Sequence, residues 1–192
     1  MLMKVFPHGT GEGDKPSRYL VRPDYPGRDT APPQVLRGDP AMTRALIDSI
    51  ERRWKFTSGV LSWPPDEKVS EEQEEEVMNA FERVAFAGLE ADQRNILWVR
   101  HTHAGHHELH FLIPRLELSS GKDFNACPPG WQKDFDVFRD LFNWREGWAR
   151  PDDPARARDE LPKKAGLFKA RMARWGKEIR ESDRDRAKEV IH

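Results

Sequence analysis

Residues 95–114 read NILWVRHTHAGHHELHFLIP, and the centre of the fold can be predicted from them. Residues 95–99 form an apolar run that leads into His101, as in a buried β-strand. After a polar turn, apolar and polar residues alternate, which predicts a second strand from Glu108 to Leu118. Because only a short polar loop separates the two strands, they are expected to pair as a β-hairpin.

The flanking sequence predicts helices and further strands around this hairpin. Asp39 suits the N-cap of a helix that begins at Pro40, and Ser70 with Gln73 resembles a capping box at the start of another helix. The proline-rich residues 23–40 are expected to form a loop. The remaining expectations are strands at 2–7 and 56–63 and helices at 15–21, 70–87, 132–144 and 159–190.

Composition favours one compact domain of about 150 residues within the 192-residue chain. Seven Trp and ten Phe can fill a core, whereas the net charge of −1 does not indicate a partner. The single cysteine, Cys127, excludes an intrachain disulfide and a Cys-rich zinc site. No run approaches the about 20 apolar residues of a membrane span, so a cytoplasmic protein without membrane contact is expected.

Five of the seven histidines lie between His101 and His110. Alternate side chains of a strand face the same side, so Leu109 and Phe111 would face the core, and Glu108 and His110 the other side. The hairpin brings His101 next to the start of the second strand. Two imidazoles and a carboxylate therefore converge, and this donor set suits Mn²⁺ or Mg²⁺, with Zn²⁺ as the alternative.

A divalent metal held by such ligands polarises phosphoryl oxygens, which indicates phosphodiester cleavage. The nucleophile would be either water or a tyrosine hydroxyl. The chain has two tyrosines, Tyr19 and Tyr25. Tyr25 lies in a turn-like context, whereas Tyr19 lies in a more ordered segment between Arg18 and Arg22, whose charges would attract a phosphate.

Residues 95–102 and 108–114 together resemble the motif of plasmid mobilisation relaxases. More narrowly, they resemble the subgroup whose metal-ligand signature is His-Glu-Asn. The resemblance covers residues 1–155, and several ordered stretches agree with it. Those stretches include Lys4-Val5-Phe6, Tyr19-Leu20, and residues 35–40, 57–62 and 117–122.

The resemblance implies a relaxase of the HUH nuclease superfamily, with an α+β fold in which helices pack on one face of a central antiparallel β-sheet. Residues 1–155 would form the nuclease domain, and residues 156–192 a charged helical C-terminal extension. Such enzymes nick one strand at a plasmid origin of transfer and later rejoin it, which initiates conjugative mobilisation. Tyr19 falls at the position of the nucleophile that becomes linked to the 5′ phosphate, and His101 and Glu108 fall at the first two ligand positions.

The sequence departs from the pattern of the subgroup at three positions. His110 stands where the third ligand is usually Asn, although histidine is the ligand type of the wider superfamily. His103 stands where Asp is common, and Arg115 where Asn is common. Four further residues are candidates either to contact the metal ligands from outside or to contact phosphate: His103, His106, His107 and Lys122.

The partners implied by the resemblance are single-stranded origin DNA, accessory mobilisation proteins and a coupling protein. Lys4 is a candidate for the DNA backbone, and the candidates for base stacking are Trp54, Trp63, Trp98 and Trp131. Two other functions stay open at this point. In the first, the chain is a non-catalytic protein that binds origin DNA and retains the fold. In the second, it is a metal-dependent DNA hydrolase that uses water.

Overall fold

The computed structural model describes residues 1–150, in which five strands form one antiparallel sheet with four α-helices packed against it. The strand order is β1-β3-β5-β4-β2, so the expected α+β architecture with a central antiparallel sheet is confirmed. The elements are β1 (Leu2–Val5), α1 (Asp14–Val21), β2 (Gln34–Arg37), α2 (Pro40–Asp48), β3 (Phe56–Ser62), α3 (Glu71–Ala85), β4 (Leu97–His101), β5 (Glu108–Pro114) and α4 (Gln132–Glu146). The helix predicted at 159–190 and the domain boundary at 155 lie outside the described residues.

The larger core lies between the sheet and the helices α3 and α4. At its centre is Phe81 of α3, whose ring centroid lies 5.0 Å from that of Trp98 and 4.6 Å from that of Phe111. The predicted capping box of Ser70 and Gln73 begins α3. Among the helices of residues 1–150, none combines the length and the apolar character that crossing a membrane would require.

The short helices α1 and α2 pack on the opposite face of the sheet, whereas helices were expected on one face only. A second core holds them there, built from Leu20, Ile47, Leu97, Val99 and Leu112. The physical reason is that β4 is apolar on both sides. Trp98 faces α3, while its neighbours Leu97 and Val99 face α1 and α2, as the alternation of a strand requires.

Strand β2 lies within the proline-rich segment that was predicted to be a loop, and that prediction is wrong for Gln34–Arg37. This strand is at the edge of the sheet and pairs with β4 alone, with a register irregularity between Val35 and Arg37. An edge strand leaves one row of backbone groups unpaired, so nearby prolines remove no ladder hydrogen bond. Strand β5 also differs from expectation, because it ends at Pro114 rather than at Leu118.

Gly59 allows β3 to sit tightly against its neighbours. A Cβ atom at this position would lie 2.3 Å from the Phe111 ring and 2.5 Å from the backbone oxygen of Lys4. We therefore expect Gly59→Ala to lower the free energy of unfolding by about 1–3 kcal/mol, the usual cost of overpacking. Urea denaturation followed by circular dichroism would measure the change. Gly11→Ala is the control, because a Cβ there meets nothing within 4 Å; equal stability of both variants would contradict this packing.

Candidate metal centre and nucleophile

His101, Glu108 and His110 meet at the loop end of the β4–β5 hairpin. His101 is the last residue of β4 and pairs in register with Glu108, the first residue of β5. His110 lies two residues further along, so all three side chains project to the side covered by α1 and α2, which we call the ligand face. One ligand atom from each residue lies within 4.8 Å of the others. The structure thus brings together the three residues expected to bind metal.

His101 is buried and held in one orientation by its ring hydrogen bonds. Its Nε2 donates to the backbone oxygen of Leu20 at 2.8 Å, since a carbonyl can only accept. Its Nδ1 therefore carries the lone pair, and it accepts from Nη2 of Arg28 at 3.3 Å. Burial lowers the pKa of His101 to about 4, so the imidazole is neutral near pH 7 and its Nδ1 lone pair is available to a cation.

Glu108 is ionised and accepts hydrogen bonds from two histidines. Nε2 of His110 donates to one carboxylate oxygen at 3.0 Å, and Nε2 of His106 donates to the other at 2.9 Å. The hydrogen bond from His110 is the main reason that the pKa of Glu108 falls to about 2. The carboxylate therefore keeps its negative charge across the physiological range and is fixed in position.

The chemistry of this donor set fits a divalent cation. Two imidazoles and one ionised carboxylate from a rigid sheet supply three ligands and leave further positions open for substrate oxygens. An ion bound at Nδ1 of His101 would take the place of the hydrogen bond from Arg28. The residues therefore match the expectation of Mn²⁺ or Mg²⁺, with Zn²⁺ as the alternative, without distinguishing among these ions.

Tyr19 lies beside the trio of His101, Glu108 and His110, and Tyr25 lies next to Tyr19. Tyr19 lies on α1 with 42% of its surface exposed, and its ring centroid is 6.4 Å from that of His101. Tyr25 lies in the loop after α1, and its ring centroid is 5.7 Å from that of Tyr19 and 5.7 Å from that of His103. Helix α1 therefore presents Tyr19 to solvent at the edge of the trio, as a nucleophile requires.

Arg28 lies against the rings of both tyrosines, and no sequence pattern predicts this position. It is fully buried, donates to the backbone oxygen of Tyr19 at 2.6 Å, and its guanidinium carbon is 5.0 Å from the Tyr19 ring and 4.8 Å from the Tyr25 ring. The sequence had pointed instead to Arg18 and Arg22 as the cations near Tyr19. Arg18 forms an ion pair within α1, and Arg22 lies over the ring of Tyr25.

The other histidine candidates and Lys122 separate into two groups. His103 stays close, with its ring 5.3 Å from His101, and His106 supports Glu108. His107 points to the other side of the sheet, where its Nε2 lies 2.7 Å from a carboxylate oxygen of Glu74. Lys122 comes after the end of β5 that is opposite to the trio, and β5 itself is about 20 Å long. The structure therefore brings neither Lys122 nor His107 to the ligands.

The tryptophans expected to stack bases are mostly core residues. Trp63 and Trp98 are buried, and Trp131 packs against the larger core. Trp54 remains 40% exposed. Trp144 on α4 is 80% exposed and was not among the candidates. Of these four tryptophans, Trp54 is thus the one whose side chain is exposed.

Comparison with known proteins links this geometry to one family. The family model for the MobA/VirD2-like relaxase nuclease domain matches residues 41–143, a range that contains the trio and not Tyr19. Cryptic plasmid protein C of Neisseria gonorrhoeae is 40% identical over 159 residues, which is 81% of this chain and 75% of that protein. DNA relaxase MbeA of Escherichia coli is 36% identical over 168 residues, which is 84% of this chain and 32% of MbeA.

Proposed function

This chain belongs to the MobA/VirD2-like relaxase family, and on that premise we propose that it nicks one DNA strand at a plasmid origin of transfer through a 5′-phosphotyrosine intermediate. The observation that carries the proposal is that an exposed tyrosine adjoins a His-Glu-His trio, with the rings of Tyr19 and His101 6.4 Å apart. MbeA, with which most of this chain aligns, is named a DNA relaxase.

The proposed reaction exchanges one phosphoester for another. Oη of Tyr19 attacks the scissile phosphorus, and the bond from phosphorus to the 3′ oxygen breaks as the new bond forms. The tyrosine loses its phenolic proton and the leaving 3′ oxygen gains one, so no water is consumed. The free energy of the phosphodiester is kept in the tyrosine ester, which allows the same 3′ hydroxyl to rejoin the strand later.

The trio would hold a divalent metal, which when bound neutralises charge that develops on the phosphate oxygens. Hydrogen bonds already orient two of these ligands. His101 is held by the Leu20 carbonyl, and Glu108 is held by His106. Such outer partners typically fix the ring orientation and basicity of metal ligands. Arg28, bonded to the backbone at Tyr19, fixes the end of α1 that carries the nucleophile.

The finer assignments follow from this function. The substrate would be single-stranded origin DNA in the cytoplasm, and the partners would be accessory mobilisation proteins and a coupling protein. Residues 1–155 would form the nuclease domain, followed by an extension at 156–192. This chain spans three quarters of the gonococcal protein and about a third of MbeA.

The decisive experiment incubates the full chain with a supercoiled plasmid that carries its origin, with Mn²⁺ and with EDTA. We expect metal-dependent conversion to open circles, and protein that stays on the DNA in denaturing detergent. Open circles without attached protein would instead favour a hydrolase that uses water. Specific binding with no nicking at any metal concentration would favour the non-catalytic origin-binding protein.

A further inference from the structure

A pocket of about 240 Å³ opens beside the trio, between α1 and the ligand face of the sheet. Tyr19 and His110 line it on the side of the trio. Its other walls come from Phe6 after β1, Pro16 and Leu20 of α1, and Ser58 and Leu112 of the sheet. The pocket is therefore continuous with the groups proposed to act on the scissile phosphate.

The register of the sheet gives the distance between the pocket and the trio. Ser58 pairs with Leu112, and the next pair on the same face is Val60 with His110. The pocket floor is thus two residues along β5 from a proposed metal ligand, or about 6.7 Å at the usual rise of a strand. A phosphate at the trio and a group in this pocket can belong to adjacent units of one extended chain.

The lining has the chemistry of a site for a flat, mainly apolar group with a polar edge. Phe6 is half-buried and presents an aromatic ring, Leu112 is an apolar floor, and Ser58 supplies a hydroxyl. Lys4 is exposed next to the pocket, with its ammonium nitrogen 5.6 Å from the centroid of the Phe6 ring. A base stacked on Phe6 would leave its own phosphate near this cation, as in other single-stranded DNA sites.

A second pocket, of about 430 Å³ between α1 and α2, lacks this chemistry. Its walls carry two cations and two carboxylates, Arg18, Arg44, Asp14 and Asp48, which are joined in ion pairs. It contains no aromatic residue on which a base could stack. The pocket at Phe6 is thus the better match to a nucleotide.

We propose that the Phe6–Ser58 pocket receives the base of a nucleotide next to the scissile phosphate of single-stranded DNA. This inference rests on the proposed function, because that function supplies the DNA and the position of the phosphate. Phe6 would stack on the base, Ser58 would contact its polar edge, and Lys4 would contact the backbone. The pocket would then make cleavage sensitive to the identity of one base.

The test compares two probes in EDTA, so that no cleavage is needed. One probe is a fluorescein-labelled oligothymidylate of about twelve nucleotides, and the other is a chain of the same length made of abasic residues. We expect the full chain to prefer the oligothymidylate, by fluorescence anisotropy. Phe6→Ala and Ser58→Phe should each weaken oligothymidylate binding about tenfold, as for one lost base stack, and leave the abasic probe unaffected.

Three controls make this result specific to the pocket. Phe6→Leu keeps apolar volume and should fold like the parent by circular dichroism, yet it should lose most of the preference for bases. Trp144→Ala removes a larger aromatic group, which is 80% exposed on α4, and it should change neither affinity. Replacing one thymine by 5-iodouracil and irradiating should crosslink the peptide that contains Phe6 or the one that contains Tyr19.

The outcomes separate this proposal from the proposed function. If Phe6→Ala and Ser58→Phe keep the full preference for oligothymidylate, or if the parent binds both probes alike, the pocket proposal is overturned while nicking can persist. If the preference depends on Phe6 and Ser58 but no nicking or adduct forms with metal, the base pocket stands and the strand-transfer function fails.

Discussion

Tyr19→Phe should abolish the covalent protein–DNA adduct, with a loss on the order of a thousandfold or more, as when a covalent nucleophile is removed. Only the phenolic oxygen can form the new bond to phosphorus. The ring itself remains, so its packing against Tyr25 and over Arg28 is kept. Detergent gel electrophoresis of labelled origin DNA after incubation with Mn²⁺ would quantify the adduct.

Tyr25→Phe is the matched control, because the two rings lie 5.7 Å apart at the same site. This variant should form the adduct at nearly the parental rate. Both variants should bind single-stranded origin DNA within about twofold of the parent in EDTA, since neither loses a charge that pairs with phosphate. Loss of the adduct only in Tyr25→Phe would assign the nucleophile to Tyr25, and an adduct in both variants would refute Tyr19 as the required nucleophile.

The trio was predictable because the interactions that assemble it are local. His101, Glu108 and His110 belong to one hairpin, so strand alternation and a short loop suffice to bring them together. The same alternation separates His107 from them. It is one residue away from Glu108, and a shift of one position in a strand turns a side chain to the other face. His107 is therefore turned away from the trio and towards Glu74.

Arg28 and strand β2 could not be predicted in the same way, because both depend on distant parts of the chain. Arg28 lies in a polar loop between Gly27 and Asp29, where an arginine ordinarily faces solvent. It is buried because Tyr19, Tyr25 and His101 close around it in space. Strand β2 forms only because the edge of β4 is available for pairing.

A helix begins where the sequence predicts it when an N-cap residue marks its start. Asp39 accepts a hydrogen bond from the backbone of Met42, and Pro40 begins α2 as predicted. By contrast, the packing of α1 and α2 against the sheet was missed, because short helices carry too few apolar residues to indicate a partner. The pocket at Phe6 exists only through that packing, so no sequence pattern could have revealed it.

Glu108→Gln should weaken Mn²⁺ binding by about a hundredfold or more, since loss of even an outer partner typically costs ten- to a hundredfold. The substitution keeps the shape of the side chain and removes only its negative charge. Isothermal titration of the full chain with MnCl₂ would measure affinity directly, without reference to cleavage. Circular dichroism would verify that the variant is folded.

Two histidine variants provide the matched controls for Glu108→Gln. His110→Asn introduces the residue that the resembled subgroup uses as its third ligand, so it should retain binding with an affinity lowered about tenfold, because an amide oxygen is a weaker ligand than an imidazole. His107→Ala should leave Mn²⁺ affinity unchanged, because that ring lies on the other side of the sheet against Glu74. If Glu108→Gln binds Mn²⁺ as tightly as the parent, or if His107→Ala loses the ion, the metal is not held by His101, Glu108 and His110.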